Sequence, residues 1–278
     1  MNRSMINASV TMGQLQRKID TIGNNIANID TNGYKSRETS FQDLLVQQFD
    51  NQLKEDEEVG RRTPNGIRGG VGAKLAETEL KLDQGSIQVT DRDLDLAILK
   101  ENQFFEVAVN NNGVEEFRYT RDGAFYLSPS ADNPELLNLV TANGDFVLGN
   151  GGPITIPENF KEININEEGQ INVKTRDDGV VTVGRIAMTE VIRPQLLLSL
   201  GNNQYGLPNL EELDLAEQDV LNRVPEEVAL KQRALEKSNV NMSNEMSNLM
   251  LAQRSYQFNA KSISIADQMM QLVNGLRS

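Results

Sequence analysis

Two ladders of apolar residues, one near each end of the chain, constrain its fold more than any other feature. The first is Met5, Ala8, Met12, Leu15, Ile19, Ile22, Ile26 and Ile29, with steps of three and four that alternate without a break. The second is Leu235, Met242, Leu249, Tyr256, Ile263 and Met270, which recur every seven residues. Heptad spacing makes a narrow seam suited to a partner helix rather than a wide face for a globular core. An amphipathic helix is most often docked on its own domain. Here the chain between the ladders has a different period, and a single two-helix hairpin would leave much apolar edge open. The layout therefore predicts a subunit whose ends build an assembly.

The first ladder predicts a helix over residues 4–29, ended by Asp30-Thr31-Asn32-Gly33, where Gly33 suits a left-handed turn. A weaker helical pattern follows over 38–53, with Phe41, Leu44, Leu45 and Phe49 on one side. Residues 54–72 combine a charge run with five glycines and read as a linker. From residue 73 to 191 the period changes to two, with alternation in 87–89, 94–98, 105–109 and 163–173. Turn signals at Asp122-Gly123, Asn143-Gly144, Gly149–Pro153, Glu168-Gly169 and Asp178-Gly179 separate these runs. Prolines at 194, 208 and 225 break any long element in 192–227. Residues 241–274 then predict a long helix, with Asn241 placed as N-cap and Glu245 in the first turn. The expected fold is α+β: terminal coiled-coil-forming helices flank a mostly antiparallel β domain. Its segments are a helical part over 1–53, a linker over 54–72, a β-rich domain over 73–232 and a second helical part over 233–278.

Composition narrows the function. The chain has no Cys, His or Trp, which excludes thiolate and histidine chemistry and the commonest zinc sites. A net charge of −13 argues against binding nucleic acid or anionic lipid, since both need a basic face. No apolar run approaches the ~20 residues of a membrane span, and the first residues lack the apolar core of a secretory signal. Asp91-Arg92-Asp93-Leu94-Asp95 resembles the start of a calcium loop, but Leu96 and Asn102 stand where Gly and Glu are required. A turn into a strand explains it better. Glycines 66, 69, 70 and 72 lack the Lys-Ser/Thr of a phosphate loop. Carboxylate pairs are expected by chance in so acidic a chain. No enzyme, cofactor or metal is expected.

Specific motifs give a family resemblance. NNIANIDTNGYK (24–35) resembles the N-terminal signature of bacterial flagellar rod, hook and hook-associated axial proteins, with Asn32 where that signature usually has Pro. EKSNVNMSNEM (236–246) and AQRSYQFNAKSISIADQMM (252–270) resemble the closing helix of the same family. QGSIQVT (84–90), LDLAI (94–98), FFEV (104–107), YTRDGAFYL (119–127) and LVTANGDFVLG (139–149) match its middle. Lys100-Glu101-Asn102-Gln103 departs from the usual Gly-x-Gly before the paired Phe residues. With one β domain between terminal helices, the chain is most similar to the distal-rod members and their paralogues.

The resemblance implies a structural subunit of the hollow, torque-transmitting basal-body rod. It implies self-assembly into a helical homo-oligomer, with other rod and hook proteins and the flagellar export apparatus as partners. It also implies a location outside the cytoplasmic membrane, reached by type III export without a cleaved signal. The expected assembly residues are the seam positions together with Asn24, Asn25, Asn28 and Asn259. Polar groups beside a seam can set register, and a solvated polar face explains Asn24, Asn25 and Asn28 equally well. The competing possibilities are a coiled-coil scaffold or binding module that closes into a small oligomer, and another axial protein such as the hook. Lacking partners, two marginal helices are expected to be disordered in the free monomer.

Overall fold

The computed structural model describes residues 2–43, 47–49, 67–69, 73–111, 114–130, 133–176, 179–223 and 228–275. Helix α1 spans Asn2–Ala27 and helix α2 spans Met242–Gly275, so both periodic segments form helices within about two residues of the sequence limits. The chain separates into two compact units. One comprises residues 1–26, 37–79 and 242–278; the other comprises 27–36 and 80–241.

The first unit holds α1, α2 and two short two-stranded ribbons, the second of them antiparallel. Arg37–Asp43 pairs with Ala73–Leu80, and Gln47–Phe49 pairs with Ile67–Gly69. The helix expected over 38–53 is therefore corrected: its described parts are strands. The sequence carries a second period here. Thr39 is buried while Glu38 and Ser40 on either side are exposed, the alternation of a strand. Pairing with residues distant in sequence overrides the local apolar spacing. Leu44, Leu45 and Leu53 lie outside the described residues. So does most of the expected linker, whose described part, Ile67–Gly69, is a strand.

The second unit is built almost entirely of β-structure, and every pairing assigned in it is antiparallel. Its main sheet has 11 strands, with Gln103–Asn111 at the centre between Val114–Thr120 on one side and Phe146–Gly149 and Met188–Val191 on the other. The adjacent phenylalanines of that central strand point to opposite faces, and each nucleates a separate core. Phe105 packs edge-on against Phe125, ring centroids 5.0 Å apart, in a cluster with Leu96, Val107, Leu139, Ile156 and Ile171. Phe104 packs edge-on against Tyr205 at 5.7 Å, beside Tyr119, Val191, Leu197 and Val220. Both Phe residues are fully buried, which explains why they stand side by side without alternation. A three-stranded sheet of Phe160–Ile165, Gln170–Thr175 and Val180–Arg185 adds Ile163, Ile171 and Val173 to the first cluster. The Asp91–Asp95 run forms a turn: Asp95 accepts from Thr90 Oγ1 at 2.8 Å, and the strand begins at Leu96. The described part of the segment 192–227, residues 192–223, yields only short strands and single 3-10 turns, in keeping with Pro194 and Pro208.

Candidate assembly surface and its anchor

The seam residues of α1 lie on its shielded face. Ala8, Leu15 and Ile22 are buried, Met5, Met12, Ile19 and Ile26 are half-buried, and Asn24 is exposed. Asn25 is 1% exposed and acts as a clasp. Its Nδ2 donates to the Arg37 carbonyl at 2.9 Å and to Glu245 Oε1 at 3.1 Å, and its Oδ1 accepts from the Arg37 amide at 3.0 Å. The last turn of α1 therefore meets the first turn of α2. Glu245 has a partner there beyond the helix dipole.

On α2, Leu249, Tyr256, Asn259, Ile263 and Met270 are half-buried, and Ala252 and Ala266 are buried between them. Glu245, Leu249, Ala252, Tyr256, Asn259, Ile263, Ala266 and Met270 form one unbroken four-three ladder. Asn259 Nδ2 donates to the carbonyl of Ser255 in its own helix at 2.9 Å. One member of the second ladder needs correction. Leu235 is buried, but in the strand Ala234–Glu236 rather than on the helix. Its spacing continued the heptad by coincidence, since the helix starts only after residue 241. Met242 opens α2 seven residues before Leu249 and is 39% exposed.

Asn28 and Ile29 fall in the second unit, in the turn after α1, and both are half-buried. Asn28 Oδ1 accepts from Thr31 Oγ1 at 3.2 Å and its carbonyl accepts from the Thr31 amide at 3.2 Å. Gly33 has φ +65°. A Cβ there would lie 2.5 Å from the backbone of Arg121, so both conformation and close approach demand glycine. Asn32, standing in the place of the usual Pro, accepts from Lys237 Nζ at 2.9 Å through its side chain and from Asn203 Nδ2 at 2.8 Å through its carbonyl. Side-chain hydrogen bonding thus holds the turn where ring stiffness is missing.

Behind this turn is a buried ionic knot that sequence reasoning missed. Glu236 Oε1 accepts from Lys35 Nζ at 2.8 Å and from the Gly85 amide at 2.9 Å. Its Oε2 accepts from Arg121 Nε at 2.9 Å and Nη2 at 2.7 Å. Lys35 Nζ also donates to the carbonyls of Leu82 and Asp83, and Arg121 Nη1 to those of Lys100, Glu101 and Gln103. All three side chains are at most 1% exposed. The donors of Lys35 and the oxygens of Glu236 are fully used, the condition under which buried charge is tolerated. Burial, then the nearby Arg121 charge, pushes the Lys35 amine below its ordinary pKa against the pull of Glu236. Burial likewise lowers Arg121, opposed first by Glu236. Asn239 completes the knot: Oδ1 accepts from the Ser36 amide at 2.7 Å, and Nδ2 donates to the carbonyls of Lys81 and Asp83. The missed signal was that three matched motifs, 24–35, 119–127 and 236–246, each bring one of these charges.

Comparison with known proteins agrees with these motifs. Residues 5–35 match the family described as flagella basal body rod protein. Residues 99–173 match the flagellar hook protein FlgE/F/G D1 domain, and residues 231–276 the C-terminal part of flagellar basal body rod FlgEFG proteins. The flagellar hook-basal body complex protein FlhP of Bacillus subtilis is 44% identical over 100% of both chains. The flagellar basal-body rod proteins FlgG of Borreliella burgdorferi and Caulobacter vibrioides are 31% and 33% identical, covering 100% and 98% of this chain and 99% and 98% of their own. Three signature segments that converge in the fold, and relatives that align from end to end, establish that the chain belongs to the flagellar basal-body rod and hook protein family.

Proposed function

We propose that this protein is a structural, non-catalytic subunit of the flagellar basal-body rod. It self-assembles through coiled-coil packing of α1 and α2 within and between copies into a hollow shaft, with the β unit forming the outer wall. A head-to-tail interface that does not close makes such a lattice from one subunit type. The observation that carries this is the pair of heptad faces, one on each terminal helix, joined at one end by the Asn25–Glu245 bond. Other rod and hook proteins are its neighbours along the shaft. The chain reaches that site through the flagellar export apparatus.

Replacing Ile22 and Ile26 with Asp tests this reading. Both lie on the α1 seam, and carboxylates there lose their hydration without gaining a partner. The β unit should unfold as in the parent, while electron microscopy of concentrated protein shows no rods and the strain is non-motile. A motile strain carrying both changes would overturn the proposal. Rings or discrete dimers in the parent would favour the closed scaffold instead.

A further inference from the structure

Five strands of the main sheet bring five residues into one row across it. Phe117 pairs with Ala108, Ala108 with Phe146, Phe146 with Val140, and Val140 with Tyr126. Directly paired side chains share a face. Here it is the face turned away from the first core, since the chain neighbours Val107, Leu139 and Val147 all belong to that core. The second core covers the same face around Phe104 and Tyr119 and stops short of the row. Phe117, Phe146 and Tyr126 are 48%, 36% and 44% exposed, whereas Ala108 and Val140 are smaller and buried between them. Among the side chains described, four aromatic ones are exposed, and three of them stand in this row. The Arg223 guanidinium stacks on Phe117 at 5.5 Å and that of Arg92 on Tyr126 at 4.4 Å, bracing the two end rings. One step along the strands, on the same face, Ser128, Asn138 and Thr155 form a parallel polar row. They are half-buried, and their side chains make no hydrogen bond among the described residues.

We infer that this face binds a neutral β-1,4-linked glycan, with sugar rings stacked on the three aromatics and hydroxyl and N-acetyl groups meeting the polar row. Rings two strands apart are separated by about 9.6 Å. Two pyranoses joined β-1,4 span nearly the same distance. Each sugar in such a chain is turned over relative to the last, so every second one presents the same apolar C–H face. A straight row of aromatic faces therefore matches a straight chain. Charge and area select against other occupants. Residues 80–241 hold 27 acidic against 14 basic side chains, which repels a polyanion or the same unit of a second copy. The three rings expose about 250 Å², taking about 200 Å² for each in full. A stable protein interface takes about 800 Å² from each partner, whereas a thin polymer needs no more than the row offers. The choice of polymer rests on the location proposed above: outside the cytoplasmic membrane, the β-1,4 glycan at hand is the N-acetylhexosamine backbone of peptidoglycan.

The test mixes dilute full-length protein with purified sacculi stripped of protein and anionic polymers. The parent should sediment with them and be released by N-acetylchitohexaose, a soluble β-1,4 oligomer. Maltohexaose should not release it, because an α-1,4 chain coils away from a straight row. Phe146→Ala, at the centre of the row, should weaken retention about tenfold, and Phe117→Ala or Tyr126→Ala by about threefold to tenfold. Phe146→Leu keeps apolar bulk, and hence the fold, but has no ring face, and should weaken retention nearly as much. Phe258→Ala, which removes an exposed ring on α2, should stay within about twofold of the parent. No retention of the parent, equal retention of the Phe146 variants, or equal release by both oligomers would each overturn the inference. If the ring variants change only the concentration at which copies assemble, the row is a contact between copies and the inference again falls. A parent that forms rods but ignores sacculi leaves the rod reading standing without this one. A parent that binds sacculi but never forms rods does the reverse.

Discussion

The seam of the helical unit and the ionic knot of the β unit hold chain segments together by opposite means. The seam is apolar and shallow: most of its residues are half-buried, and Ala8, Leu15 and Ile22 are its deepest apolar side chains on α1. The knot is polar and sealed, with a carboxylate making four hydrogen bonds at no more than 1% exposure. Apolar contact tolerates a change of partner, whereas a fully paired buried charge tolerates almost none. The contrast predicts a helical unit that yields readily to digestion and substitution, and a β unit that resists both.

Four experiments would break or sharpen this contrast. The largest effect is expected in protease sensitivity of the free monomer. Digestion should remove roughly the first 50 and last 40 residues and stop at a stable β core. Uniform resistance along the chain would show that the seam alone suffices for order. Next, Glu236→Leu leaves Lys35 and Arg121 buried without their counter-charge, and should cost about 3–5 kcal/mol in denaturant unfolding of the β unit. A loss below about 1 kcal/mol would mean that the backbone carbonyls alone satisfy both cations. Asn25→Ala removes three hydrogen bonds around Arg37 and Glu245. It should weaken the helical unit by about 1–3 kcal/mol, read as faster amide exchange at the end of α1, with β-unit protection unchanged.

The smallest effect concerns pH. Burial raises the Asp122 carboxyl above its ordinary value, more strongly than the hydrogen bond from the Ala124 amide lowers it. The folded state then binds the proton more tightly than the unfolded chain. The stability contributed is present below the ordinary carboxyl pKa and is lost as pH rises through the folded value. Asp122→Asn has no such proton, so it should gain stability relative to the parent between about pH 3 and about pH 7, by about 1.4 kcal/mol for each unit of the shift. An equal difference at both pH values would remove Asp122 from the account.

The same contrast governs what the sequence disclosed. Seam periodicity is a local property of one element, so α1 and α2 were legible to within about two residues. Long-range pairing is not local. Arg37–Asp43 was misread because Phe41, Leu44, Leu45 and Phe49 suggest a helical face, while the partner strand lies beyond residue 72. Leu235 was misplaced because a repeat of seven continues arithmetically across a strand, a loop and a helix start. The knot was invisible for a related reason. Lys35, Arg121 and Glu236 each sat in a recognised motif, but only the fold shows that the three motifs meet. For the β domain, alternation and turn glycines placed strands such as Ile87–Val89 and the hairpin at Gly169, yet the opposite-facing Phe104 and Phe105 needed the sheet to be understood.

The knot also has a mechanical consequence. The segments leading to the two helices, 27–36 and 236–241, are laced together inside the β unit: the Gly33 amide donates to the Glu236 carbonyl at 2.7 Å and the Asn239 amide to the Tyr34 carbonyl at 3.4 Å. A pull or twist delivered through either helix therefore enters one shared, cross-braced root. Separating the roots would require shearing several short, charge-assisted bonds together instead of peeling them singly, so the β unit would take up a sudden reversal of load as a single jolt.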